Sequence, residues 1–263
     1  MSFELELNEI KKKINLKKFD INLNTLIEDI TSTFNLTKKM IKFLLSNKEL
    51  ENSLFLNNEN LSPIKWKLGN ILFFWQKYIF SFLIVDLDFK IPDYYDYFTT
   101  NFSDRFDYYL IDTFNILNYI DNLYDKLITY ILSNNNLSSF DSYLLRLGNL
   151  YQNNSNESLI IIFNFLKKNP LSLKVNISSY NILDINPMIF VPGGIFRQGS
   201  SDIFYFDNEV PSFLNKVNNF KISKYCITNY QFLKFINFGG YSNVDFWSNS
   251  GWKWIKKYNI KSP

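Results

Sequence analysis

The chain has 263 residues, is 46% hydrophobic and 19% aromatic, and carries a net charge of +3. That composition excludes a disordered chain, and the length allows a sizeable core or two domains. The absence of histidine removes Ser-His-Asp and Cys-His catalysis and every imidazole metal ligand, and a single cysteine, Cys226, excludes an internal disulfide.

The amino terminus, MSFELELNEI, starts acidic and lacks the basic and apolar regions of a signal peptide, which together with the cysteine count fits a reducing, cytoplasmic setting. Lys11, Lys12, Lys13, Lys17 and Lys18 form the one basic cluster and read as a solvated helix face, so nucleic acid is not an expected partner. INLNTLIEDITSTFNLTKKMIKFLLS spaces its apolar residues for one long amphipathic helix. NENLSPIKWKLGNILFFWQKYIFSFLI gives a second, with Ser62 as candidate cap and Pro63 in the first turn. Its apolar run is broken by Gln76 and Lys77, so a buried helix is expected and not a membrane span.

IDTFNILNYIDNLYDKLITYILS reads as a third helix, and LSSFDSYLLRLGNLYQNNSNESLIIIFNFLKKN as a fourth, stopped by Pro170. Between the second and third helices, IPDYYDYFTTNFSDRF is a longer connection whose Asp93, Asp96 and Asp104 read as turn and capping residues. The expected arrangement of this part is a four-helix bundle. Beyond it the pattern changes, which places a domain boundary near residues 172–186 and gives an α+β chain: 1–171 helical, 187–263 mixed.

MIFVPGGIFRQGS reads as strand, turn and strand, and VNNFKISKYCITNYQFLKFINFGGY as a strand running into a short helix that Gly239 and Gly240 end. Cys226 is expected in that strand as a packing residue, and Trp247, Trp252 and Trp254 as a packing cluster. One passage stands out. Inside the fourth helix, Gln152 to Glu157 is a polar run of weak helix formers between two apolar stretches. On composition alone a solvated helical face explains it.

MIFVPGGIFRQGS, FDNEVP, ISKYCITNYQFLKFINFGGY and FWSNSGWKWI together resemble the opening of the formylglycine-generating-enzyme (sulfatase-modifying factor) domain. SPIKWKLGNILFFW, LRLGNLYQNNSNESL and KKNPL resemble helices of the DinB-like domain that precedes it in ergothioneine sulfoxide synthases of the EgtB type. The resemblance implies a DinB-like bundle followed by a C-type-lectin-like α/β domain. It also implies non-haem iron chemistry that joins a thiol to trimethylated histidine with O₂. In that family three histidines hold Fe(II), one from the second helix and two from the fourth at i and i+4, which share a helical face.

Position by position, those histidines fall on Asn70, Tyr151 and Ser155, the family's glutamate on Gln152, and its substrate-contacting glutamine on Asn154. Neutral amide and hydroxyl oxygens are poor Fe(II) ligands, and a phenol must first lose a proton. No metal and no catalytic residue is therefore expected, and any enzyme activity is left open. The resemblance further implies a C-terminal domain longer than residues 187–263, with its catalytic tyrosine and thiol contacts beyond the last residue. Three expectations follow: an impaired, shortened enzyme or the first piece of a split gene, a non-catalytic scaffold keeping the bundle, or the product of a decaying gene. A second chain completing the C-terminal domain is the expected partner, with no role for a membrane.

Overall fold

The structure, a computed structural model, describes residues 3–14, 22–51, 62–106, 110–134, 136–171, 186–201 and 207–263. The chain is α+β and divides into two compact units, Met1–Lys174 and Val175–Pro263.

In the first unit, α1 (Phe3–Ile14), α2 (Leu23–Leu45) and a short α3 (Lys48–Glu51) precede α4 (Ile64–Phe74). The latter widens into a π-helical turn, Trp75–Phe80, and closes as α5 (Ser81–Leu83); α6 (Thr113–Ser133) and α7 (Ser139–Phe165) complete the unit. α2 buries Leu26, Ile30, Phe34, Thr37, Ile41 and Leu44, the spacing of one helical stripe. α6 does the same with Ile116, Ile120, Leu123, Leu127 and Ile131. The α4 segment is buried nearly all round, from Ile64 to Phe74, because α6 and α7 pack against it. α2 in turn packs on α6 and α7, which gives a four-helix core with α1 added against α7. Among the described residues no helix is long and apolar enough to cross a membrane.

Three local expectations need correction. Ser62 does not cap α4: Pro63 takes the cap position without a side-chain bond, and the Ser62 hydroxyl accepts from Arg105 Nη1 at 3.0 Å. Pro170 does not stop the fourth helix. α7 ends at Phe165, and Lys167 turns into the left-handed region (φ 55) so that Lys168 N–H reaches back to the Phe163 carbonyl. Asp96 is more than a turn former, being 1% exposed and held by Lys77 Nζ at 3.1 Å and the Tyr78 hydroxyl at 2.9 Å. By contrast, Asp93 opens a 3₁₀ turn, and Asp104 accepts from Asn101 and Ser103. Lys11 and Lys12 lie exposed on α1, while Lys17 and Lys18 fall outside the described residues.

The second unit holds β1 (Met188–Val191), β2 (Gly194–Gln198), β3 (Phe213–Val217) and β4 (Phe220–Ser223), then α8 (Asn229–Asn237) and α9 (Asn249–Tyr258). The Pro192-Gly193-Gly194 turn does not make a hairpin: β1 pairs antiparallel with β4, and β2 with β3. Gly193 sits where a Cβ would meet the Val217 carbonyl oxygen at 2.6 Å, so only glycine lets the two pairs approach there. α8 opens on a Thr228–Gln231 capping box and ends on Gly239 at φ 88.

Cys226 is exposed and lies outside any strand, a further departure from expectation. β4 stops at Ser223 because its partner β1 begins at Met188, and Asn186 then takes the Tyr225 backbone N–H at 3.1 Å, turning the chain away. Of the three tryptophans, Trp247 donates to the Gly240 carbonyl at 2.6 Å and packs on Tyr241, whereas Trp254 is exposed.

Candidate functional site

Asn70 and Tyr151 meet between α4 and α7. The Tyr151 hydroxyl donates to Asn70 Oδ1 at 2.7 Å, and Asn70 Nδ2 donates to the Tyr95 carbonyl at 2.8 Å. Phe74, one turn after Asn70, stacks flat on the Tyr151 ring with centroids 3.6 Å apart and planes 5° from parallel. Ser155, one turn after Tyr151, is buried as well. α4 can lie this close because Gly69 faces the Tyr95 ring and Gly148 of α7 faces the Trp75 ring, where any side chain would collide.

The polar run of α7 turns mostly inward, and toward two different neighbours. Gln152, wholly buried, accepts from Trp75 Nε1 at 2.7 Å and donates to Thr37 Oγ1 at 2.7 Å. Asn156 accepts from Thr37 at 2.9 Å and donates to the Thr33 carbonyl at 3.2 Å, while the Thr33 hydroxyl donates to Asn153 at 3.1 Å. Thr33 and Thr37 on α2 thus face Gln152 and Asn156 on α7, an i, i+4 pair against an i, i+4 pair. Asn154 and Glu157 are exposed, so the position matching the family's substrate-contacting glutamine points to solvent. A solvated face does not describe the run.

The electrostatics around Asn70 follow from burial. Burial pushes the Tyr151 phenol well above its usual range; the bond to Asn70 pulls it back, and the neighbouring Tyr97 and Asp96 push it further up. Tyr95 is raised for the same first reason, with Tyr94 adding to it. Burial, and then the nearby Arg105 guanidinium, lowers the Lys67 amine to about 8. Arg105 is itself buried, lying over the Trp66 and Tyr97 rings at 4.3 and 4.6 Å.

This donor set does not fit Fe(II). Asn70 Oδ1 is occupied by the Tyr151 hydroxyl, that hydroxyl keeps its proton, and Ser155 offers a neutral oxygen. The one buried carboxylate of the region, Asp96, already holds Lys77 and Tyr78. Among the described residues no group of three His, Cys, Asp or Glu is gathered as a metal site.

Residues 176–263 match the Sulfatase-modifying factor enzyme 1-like domain. In addition, a stretch of 78 residues is 31% identical to Hercynine oxygenase of Mycolicibacterium smegmatis. That stretch is 28% of this chain and spans 18% of the length of that protein. The domain match falls on the second unit.

The sequence reading missed Trp75, Thr33, Thr37 and Arg105. Only the threonine spacing of four on a helix otherwise apolar on that face offered a signal. Replacing Tyr151 by Phe is expected to cost about 1–3 kcal/mol in chemical denaturation, because buried Asn70 Oδ1 loses its donor. A neutral result would mean that water or another donor reaches Asn70.

Proposed function

We propose that the chain is an EgtB-like protein of the ergothioneine-type sulfoxide synthase family in which iron-dependent catalysis is lost and the helical unit serves as a non-catalytic binding scaffold. The observation that carries this reading is the Tyr151–Asn70 hydrogen bond. It joins two of the three positions matching the family's histidines through neutral oxygens, one of them a phenol that keeps its proton, and neither is a good Fe(II) ligand. The domain match and the partial likeness to Hercynine oxygenase support the family. The relatives' chemistry, C–S bond formation between a thiol and trimethylated histidine, is not expected here.

The test is to rebuild the ligands. The variant with Asn70→His, Tyr151→His and Ser155→His should gain one equivalent of Fe(II), or of Zn(II) or Ni(II) as probes, because three imidazoles would then face one point. If that variant keeps its helical circular dichroism yet binds no metal, the three positions do not converge and the reading fails.

A partner is part of the proposal. Among the described residues of the second unit only Gly240 and Ile255 are buried, while Ile189, Phe190, Phe196, Leu214, Phe220 and Ile222 lie exposed on strands. Two-stranded sheets of this kind are marginal alone, and their open edges invite further strands. We read this as a surface for a second chain that completes the domain. Purified alone at tens of micromolar, the 263-residue chain should self-associate in light scattering. A stable monomer would contradict the partner.

A further inference from the structure

Lys67 and Arg105 bring two cations to the start of α4, and among the described residues no carboxylate forms an ion pair with either. Lys67 sits one turn into α4, its N–H bonded to the Pro63 carbonyl at 2.9 Å, and helical side chains lean toward the amino end. Its Nζ lies 5.8 Å from the centre of the Tyr97 ring, which Arg105 also contacts. Arg105, 8% exposed, gives Nη1 to Ser62 just before the helix and Nη2 to the Thr100 carbonyl at 3.4 Å. Its Nε is buried with no acceptor. α4 itself begins without a side-chain cap and without an acidic residue in its first turn. Among the described residues no carboxylate pairs with either cation, since the ion pairs are Lys38–Asp121, Lys77–Asp96 and Lys126–Asp88. The site thus combines two positive side chains, the positive end of a helix and an orphaned buried donor.

We propose that Lys67 is a carbamate-forming site, taking up carbon dioxide as N-carboxylysine whose carboxylate lies against the Arg105 guanidinium at the start of α4. The unprotonated Lys67 nitrogen attacks the carbon of CO₂ and an N–C bond forms. One carbonyl electron pair moves onto oxygen, and one N–H proton leaves to water. The amine and CO₂ thus become a carbamate and a proton, with no oxidant or reductant involved. The exchange replaces a cation by an anion beside the Arg105 guanidinium, whose buried Nε has no acceptor, so the product is matched to that donor. The same surroundings keep the amine reactive. With burial and Arg105 holding it near 8, about a tenth of Lys67 is neutral at pH 7, far more than of an ordinary lysine. Among the described residues Tyr97 and Arg105 face it, and Asp96 is already held by Lys77 and Tyr78. None of this depends on the fate of the iron ligands.

The experiment is ¹³C NMR of the full chain in ¹³C-bicarbonate buffer near neutral pH. One carbamate resonance approaching a full equivalent is expected. It should vanish in Lys67→Met, persist in Lys65→Met and fall several-fold in Arg105→Gln. The amino-terminal amine also forms a carbamate, and its resonance should survive every variant. If Lys67→Met loses its helical circular dichroism, Lys67→Arg takes its place. A spectrum with only the amino-terminal resonance, or a second one that survives loss of Lys67, overturns the proposal. A resonance unchanged in Arg105→Gln overturns the pairing with Arg105.

Discussion

Replacing Trp75 by alanine should destabilise the helical unit by about 4 kcal/mol in denaturant unfolding, the upper part of the range for large-to-small core changes. The ring is fully buried at the start of the π-helical turn, and it packs on Phe34 of α2, with centroids 5.7 Å apart. It also lies directly against Gly148 of α7. Its indole N–H is the donor to Gln152 Oε1, so alanine also leaves a buried acceptor unpaired beside the new cavity. Three helices meet on this side chain, which limits how far the structure can collapse. A loss below about 1 kcal/mol would mean that α2, α4 and α7 do not pack as described.

Gly148→Val should have an effect of similar size for the opposite reason. A Cβ at Gly148 would meet three atoms of the Trp75 ring, at 2.6, 2.6 and 2.9 Å, and a rigid, enclosed indole has nowhere to move. About 3 kcal/mol is expected, with α7 pushed off α4 and the Tyr151–Asn70 bond stretched. The two substitutions should compensate each other. In a Trp75→Leu background the clash is gone, and Gly148→Val should then cost at least 1 kcal/mol less than it does alone. Additive costs would show that the two residues are not in contact.

The helices were legible because burial follows a stripe: Ile30, Phe34, Ile41 and Leu44 of α2 announce their face by spacing alone. The strands at MIFV, GIFRQ and FKIS were legible from β-branched and aromatic runs, but β3, FLNKV, was not, because Asn215 and Lys216 interrupt its apolar residues. Pairing was hidden for a related reason. Only backbone geometry shows that β1 pairs with β4 in preference to its neighbour β2. Cys226 misled because the apolar reading ran past Ser223, where the ladder ends.

In the candidate site the positions could be found by resemblance, yet their present bonding could not. That Tyr151 would donate to Asn70, and that Gln152 and Asn156 would turn to Thr37 and Thr33, depends on which helices face α7. Asp96 looked like a turn residue because its partners, Lys77 and Tyr78, lie on another element, about twenty positions away in sequence.

The central claim is that Asn70 and Tyr151, with Ser155 buried one turn further on, make a structural contact where the family resemblance would place iron. It is tested most directly by the metal content of the unmodified protein after anaerobic incubation with Fe(II) and desalting, measured by plasma mass spectrometry. The account predicts iron at the level of a histidine-free control protein and well below one equivalent. One equivalent of iron per chain, lost on Tyr151→Phe, would contradict it.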